Sequence, residues 1–343
     1  MITILVTGGL GFIGSNFIRK ILSERDDVRI VNLDLETYAG NPDSLADVKE
    51  HYGADGRYVC QTGDVRDGEL VEALLGIHSV DYLVHFAAES HVDRSIHGGA
   101  MDFAATNYIG TVTLLEALRT YGKIKRAIFI STDEVYGALP LEGTERFTES
   151  TPLHPHSPYS ATKAAGDMMV SVYHEVYGLP VVTTRCSNNY GPYQYPEKLI
   201  PSFIIKAMND EQVPVYGDGL YTRDWIHVDD HNSAVITLLF DERVTLGEAY
   251  NIGGDNEWKN IDLTKLILDI LGKPHDLMKF VTDRPAHDRR YAIDHSKLTR
   301  LTGWMPRVPF EEALRATIEW YRNNPEWVES ARARTEKINS HIT

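Results

Sequence analysis

Unbroken apolar runs alternating with helical patterns constrain the fold of this chain more than any other feature. The runs fall at residues 2–7, 29–34, 58–63, 81–87 and 126–131, and helical periodicity fills most of the gaps, as over 103–118. Strands buried on both faces read as continuous apolar runs. Strands alternating with helices imply βαβ units in a doubly wound parallel sheet. A sixth run, 179–186, follows a long helix that starts near Ser157 and Pro158, proline being a common first helical residue.

After Gly191 and Pro192 the segments shorten, with Tyr, Trp, Pro and Gly between them. Helical periodicity returns at 263–271 and at 310–321, where apolar residues recur at 310, 314, 318 and 321. The expected architecture is α/β: a Rossmann-type doubly wound parallel sheet over 1–190, then a smaller α/β substrate-binding lobe over 191–330. Some segments of that lobe are expected to return to the sheet. The tail, 331–343, reads as polar and frayed.

A formal charge of −15 repels phosphate backbones, so nucleic acid is not an expected partner. An anionic substrate would therefore need a local basic pocket. Cys60 and Cys186 are the only cysteines. Each reads as a small hydrophobe in a strand, and no spacing suggests a metal site. The lack of a disulfide framework fits a reducing cytoplasm. The N-terminus has no basic region before its apolar run, so a signal peptide is not expected, and no apolar run reaches the ~20 residues of a membrane span.

The first strand runs into T-G-G-L-G-F-I-G, residues 7–14, where Gly8, Gly11 and Gly14 form a G-x-x-G-x-x-G array. Such glycines permit a tight turn and close approach of backbone to a pyrophosphate, at which the next helix points its N-terminus. A plain glycine-rich turn is the alternative. The following strand ends in Asp34, 20 residues past Gly14. There a carboxylate accepts from a ribose 2′-OH and repels a 2′-phosphate, favouring NAD over NADP. Asp64 and Val65, after the third strand, are candidates to meet the adenine, an ordinary strand end being the alternative.

Tyr159 and Lys163 form Y-x-x-x-K, one helical turn apart. An ammonium beside a phenol favours phenolate and should lower the tyrosine pKa, fitting it to take a proton as hydride leaves the same carbon. Strand five ends in S-T-D-E-V-Y-G, 131–137, and the C-terminal ends of parallel strands are where α/β active sites sit. Thr132 supplies a hydroxyl there. Asp133 and Glu134 supply adjacent carboxyl groups, whose plainer reading is a solvated acidic loop.

At these residues the chain resembles the extended short-chain dehydrogenases/reductases, and within them the dTDP-glucose 4,6-dehydratase family. Further matching stretches are T-Y-A-G-N (37–41), H-F-A-A-E-S-H-V-D-R-S (85–95), S-P-Y-S-A-T-K (157–163), S-N-N-Y-G-P-Y-Q (187–194), P-E-K-L-I-P (196–201), Y-G-D-G (216–219), R-D-W-I-H (223–227) and D-R-P-A-H-D-R-R-Y-A-I-D (283–294). The Asp-Glu pair sets this family apart from related epimerases and decarboxylases.

The resemblance implies a lyase that converts dTDP-glucose to its 4-keto-6-deoxy product. Tyr159 would take the C4 hydroxyl proton, Glu134 the C5 proton, and Asp133, with a raised pKa, would protonate the departing C6 hydroxyl. It implies NAD contacts from Phe12, Ile13, Leu35, Thr37, Phe86, Ala87, Ala88, Ser90, Thr106 and Asn189. It implies sugar contacts from Ser90, Thr132 and Asn188. Nucleotide and diphosphate contacts would come from Lys198, Leu199, Pro214, Val215, Tyr216, Arg223, Asn260, Asp283, Arg284 and His287. It further implies a homodimer built around a four-helix bundle.

Glu36 and Ala286 depart from the family pattern, the first beside the adenosine ribose and the second in the nucleotide loop. His154 and His156, in a proline-rich loop, read as surface residues rather than metal ligands. UDP-glucose 4,6-dehydration, 4-epimerisation or decarboxylation on the same scaffold, and a catalytically silent NAD-binding protein, are the competing readings.

Overall fold

The computed structural model describes residues 1–283 and 287–339. A seven-stranded sheet forms its centre. In chain order the strands are β1 (Ile2–Thr7), β2 (Val28–Asp34), β3 (Tyr58–Thr62), β4 (Tyr82–His85), β5 (Arg126–Thr132), β6 (Val181–Cys186) and, after three others, β10 (Ala249–Ile252). Their spatial order is β10-β6-β5-β4-β1-β2-β3, and every neighbouring pair is parallel. The chain steps outward from β1 in one direction and then the other, so a crevice opens where the order reverses. The strand β10, from the second half of the chain, extends the sheet beyond β6.

Alternation along each strand builds two apolar layers. Ile4 and Val6 pack with Phe17, Ile21 and Leu238 on one face. Leu5, between them, packs with Leu114, Leu118 and Val170 on the other. Local chemistry sets the element ends. Ser157 and Ser160 form a reciprocal cap at the start of the helix Pro158–Tyr177, and Gly178 ends it in a left-handed conformation at φ 67°, which a residue without Cβ adopts at least cost.

The remaining strands are β7 (Asn188–Tyr190), β8 (Val213–Tyr216), β9 (Thr222–His227), β11 (Glu257–Lys259) and β12 (Met278–Val281). They form a three-stranded sheet, β11-β9-β7, and a two-stranded sheet, β12-β8. Helices Leu199–Met208, Asn260–Leu271 and Phe310–Asn323 pack with them around Ile200, Phe203, Leu263 and Leu314.

Three expectations are corrected here. The stretch after Trp327 is not a frayed tail. Pro325–Asn339 is a helix, with Trp327 and Ala331 buried against the small lobe, because its few apolar residues share one face. Cys60 is exposed rather than packed as a hydrophobe, since β3 is the sheet's outer strand. The helical pattern over 103–118 is interrupted by a π-helical segment, Ala104–Ile109, before regular helix resumes at Gly110–Tyr121. A Cβ at Gly110 would lie 2.8 Å from Val65 Cγ2, so glycine lets this helix pass close beside the end of β3.

Two histidines are sealed in this core. Burial and the charge of Lys163 push His85 down to about 3, and burial takes His231 down to about 4. Both folded-state values lie below the unfolded one, so their neutral forms favour the fold at neutral pH and oppose it as pH falls below about 6.5. The unfolding free energy from urea titrations should drop between pH 7 and pH 5 by about 2 kcal/mol for each histidine. The double variant His85→Gln, His231→Gln should lose most of that acid sensitivity, and an unchanged pH profile in it would refute the assignment.

Candidate active site

The turn after β1 is built for close approach. Gly8 has φ 74°, and a Cβ there would lie 2.5 Å from Ala87 N. A Cβ on Gly14 would lie 2.4 Å from the Gly8 carbonyl oxygen. The helix Phe12–Glu24 begins at Gly11 with no side-chain cap, leaving first-turn amides for an anion. Two cavities meet at this turn. One is lined by Gly8, Gly11, Phe12, Ile13, Gly14, Phe86, Ala88, Ser90, Thr132, Tyr159, Lys163 and Asn189. The other is lined by Asp34, Leu35, Thr37, Asp64, Val65, Ala87 and Thr106. Together they form a channel with the shape and donor set that a dinucleotide requires.

Asp34 is buried at the end of β2. Its oxygens accept from Leu10 N (2.9 Å) and Glu36 N (2.9 Å), and burial raises its pKa against those two hydrogen bonds. Asp64 is held by Arg66 at 2.5 Å, which pulls its pKa down. Glu36 does not line either cavity. Its backbone is left-handed at φ 56°, and its carboxylate accepts from the Thr62 hydroxyl at 2.6 Å, outside the channel.

The residues expected to carry the chemistry converge at the end of β5. Asp133 is 1% exposed, and its Oδ2 has no partner. Burial raises its pKa well above the ordinary carboxylate value, helped by the neighbouring charges of Glu134 and Asp224 and opposed by Arg223 and the Thr132 hydroxyl. The expected raised pKa is thus reproduced in direction and cause.

The expected lowering of the Tyr159 pKa is not. Burial and then the Glu134 charge raise it well above 10, while the Thr132 hydroxyl opposes the shift. The Lys163 ammonium points to the Ile130 carbonyl instead, donating at 2.6 Å. Lys163 is itself buried, which lowers its pKa. On the same helix face, Asp167 pairs with Arg185 at 3.0 Å, and Arg185 donates to the Tyr136 hydroxyl at 3.0 Å. This buried network braces the floor beneath Lys163.

Beyond Glu134 a third cavity, of about 250 Å³, is lined by Ser90, Asn188, Lys198, Leu199, Pro214, Tyr216, Arg223, Asn260 and His287. Lys198 Nζ donates to Ser90 O at 2.7 Å, joining its two walls. Asn188, Asn189, Gln194, Asn260 and Trp225 each present a buried polar atom without a protein partner beside this space, and such atoms call for a ligand. Val215 is not on the wall. It is 2% exposed in the core, because alternation along β8 turns residues 214 and 216 to the cavity and 215 away. Asp283 holds His287 Nδ1 at 2.8 Å rather than lining the cavity. Arg284 and Ala286 lie outside the described residues. His156 is tied to Asp288 at 2.6 Å and to His154 at 3.0 Å.

Residues 5–317 match the family model described as GDP-mannose 4,6 dehydratase. A dTDP-glucose 4,6-dehydratase of Xanthomonas campestris pv. campestris is 50% identical, with 96% of this chain and 95% of that one covered. The dTDP-glucose 4,6-dehydratase 1 of Escherichia coli K12 is 46% identical at the same coverage. The chain belongs to the dTDP-glucose 4,6-dehydratase family. Among solved structures, the family member DesIV of Streptomyces venezuelae, crystallised with NAD and TYD bound, superposes with a TM-score of 0.90 at 45% identity, covering 96% of this chain and 100% of that one.

Within this dehydratase scaffold, Glu197, Gln194, Trp225 and His91 also line the third cavity and were missed from sequence. Glu197 and Gln194 sit inside stretches already singled out, P-E-K-L-I-P and Y-Q, so their signal was adjacency to chosen residues. Trp225 and His91 gave none beyond it.

The Gly14 contact yields a direct check. Gly14→Ala should push the helix away from the turn and weaken NAD binding by tenfold or more, on the order of 1.4 kcal/mol. Isothermal titration would show it, and wild-type affinity in the variant would contradict the close-approach argument.

Proposed function

We propose that this chain is a working dTDP-glucose 4,6-dehydratase, and that the residues gathered at the end of β5 divide its chemistry among them. The observation that carries this reading is the paired environment of Asp133 and Glu134. One carboxyl is sealed, with its Oδ2 unpartnered and its pKa raised well above the ordinary carboxylate value, while its neighbour lines the cavity that also holds Tyr159. Burial that raises the pKa of one carboxyl beside another that is open to the cavity suits an acid paired with a base.

The substrate would lie with its hexose at Thr132, Asn188 and Ser90. Its diphosphate would lie toward Lys198, Arg223 and His287, and its base between Pro214 and Tyr216. NAD held in the channel would supply hydride acceptance from C4 and donation to C6, and a positive charge beside Tyr159 would favour its phenolate. Tyr159 accepts the C4 hydroxyl proton, with Thr132 and Lys163 orienting the site. The C4 ketone acidifies C5–H, and Glu134 removes that proton. Asp133 gives its proton to the C6 hydroxyl, which departs as water. Return of a proton to C5 completes dTDP-4-keto-6-deoxyglucose, with no net redox change.

Assembly as a homodimer belongs to this proposal. Met168, Val172 and Val176 lie exposed at four-residue spacing on the helix Pro158–Tyr177, an apolar stripe suited to pairing with a second copy in a four-helix bundle. A cytoplasmic setting suits two free thiols. Among the described residues, no helix is long and apolar enough to cross a membrane.

Two measurements test this. With dTDP-glucose the purified protein should form the 4-keto-6-deoxy product, and Asp133→Asn should keep C4 oxidation while losing turnover by roughly 100-fold or more. Wild-type turnover in that variant would rule out the acid role, and product from UDP-glucose alone would move the base preference. In sizing experiments the wild type should run as a dimer and Val172→Glu as a monomer, and a monomeric wild type would refute the bundle.

A further inference from the structure

The loop that leaves β2 walls the cavity at the Asp34 end of the channel through Leu35, Thr37, Ala39 and Gly40. Its backbone does not hold this path by local preference. Glu36 sits at φ 56°, a conformation that costs a non-glycine residue on the order of 1 kcal/mol or more. The loop is held instead by the helix Pro325–Asn339, more than 280 residues away in sequence.

Residues 327, 330, 331 and 334 share one face of that helix. Trp327 Nε1 donates to Ser44 Oγ at 3.1 Å, and the Ser330 hydroxyl donates to Asp43 at 2.8 Å. Ala331 is fully buried between them. Arg334 then spreads over the loop's carbonyl groups. It donates to Glu36 O (3.2 Å), Thr37 O (2.9 Å), Gly40 O (3.0 Å) and, through Nε, Tyr38 O (3.4 Å). Three of these acceptors share the two N–H groups of Nη2 and Nε serves the fourth, so one planar edge of the guanidinium spans the loop's carbonyls, a geometry an ammonium does not reproduce. The Tyr195 hydroxyl also reaches Tyr38 O. At the loop's other side, the Tyr38 hydroxyl donates to Glu197 at 3.0 Å, and Glu197 lies on the wall common to the cofactor and substrate cavities.

We propose that the C-terminal helix is a clamp for cofactor retention, and that Arg334 is its positioning residue, holding the 36–40 loop against the adenosine end of the bound dinucleotide. This rests on the reading of the channel as an NAD site. The chemistry gives the clamp a purpose. A cofactor reduced and reoxidised within one turnover has no need to leave, so slow release wastes nothing. The charge of Arg334, after the backbone hydrogen bonds from Leu10 and Glu36, also acts against the burial that raises the Asp34 pKa.

The test uses the full-length chain and reads bound NAD directly. Wild-type protein should retain stoichiometric NAD through gel filtration. Arg334→Ala should lose most of it and release NAD about tenfold faster or more, the scale expected for removing hydrogen bonds from a charged donor. Its turnover should become dependent on added NAD, showing the loss mainly in the half-saturating NAD concentration rather than in kcat. Arg334→Lys keeps the charge and the stem but offers no fork, so it too should shed NAD, and it decides the question if the alanine variant fails to fold. Either folded variant retaining and releasing NAD as the wild type does would overturn the clamp. A wild type that neither retains nor binds NAD would overturn the cofactor reading itself.

Discussion

Parallel alignment of the central strands is the constraint from which the rest follows. Because β1, β2, β4, β5 and β6 all run the same way, the residues just past their C-terminal ends fall along one rim. Gly8, Asp34, Ala87, Thr132 and Cys186 come from widely separated stretches of chain, yet they meet there. The reversal of strand order beside β1 opens the crevice between them. An antiparallel sheet with the same sequence motifs would scatter these residues between its two ends.

Desolvation along that rim does the electrostatic work. Asp133 and Glu134 are neighbours with the same chemistry, and they differ in how much water reaches them. Asp133 is sealed under the sheet's end, where the charged form is costly, and Glu134's charge adds to that cost. The same burial acts on Tyr159 and Lys163 in opposite directions, raising the phenol and lowering the ammonium. Burial thus biases each of these groups toward its neutral form, and positive charge brought near the phenol would favour phenolate.

Much of this was legible in the chain. The unbroken apolar runs marked parallel strands, because a strand covered on both faces has no polar side to show. The glycine array and Asp34 were readable because they depend on local backbone geometry and on spacing across a single βαβ unit. The Tyr159–Lys163 pair was readable for the same reason, since one helical turn fixes their separation. Less visible was what each group touches. Sequence put Lys163 beside Tyr159, but the fold directs its ammonium to the Ile130 carbonyl. Sequence grouped Val215 with Pro214 and Tyr216, but the pleat of β8 sends it into the core.

By itself, then, the sequence determined the fold class and most of the elements, and it marked the residues expected to react, since these follow from periodicity, turn chemistry and short-range spacing. Tertiary structure alone decided the environments. It decided which of two adjacent carboxyl groups is dry and which amides of Asn188, Asn189 and Asn260 are left with an unpaired oxygen beside the cavity. It also made Arg334, in a stretch that reads as an undistinguished polar tail, the residue gripping the loop after β2. The physical reason is that desolvation and hydrogen-bond satisfaction depend on what lies nearby in space, and between Glu36 and Arg334 that proximity spans nearly the whole chain.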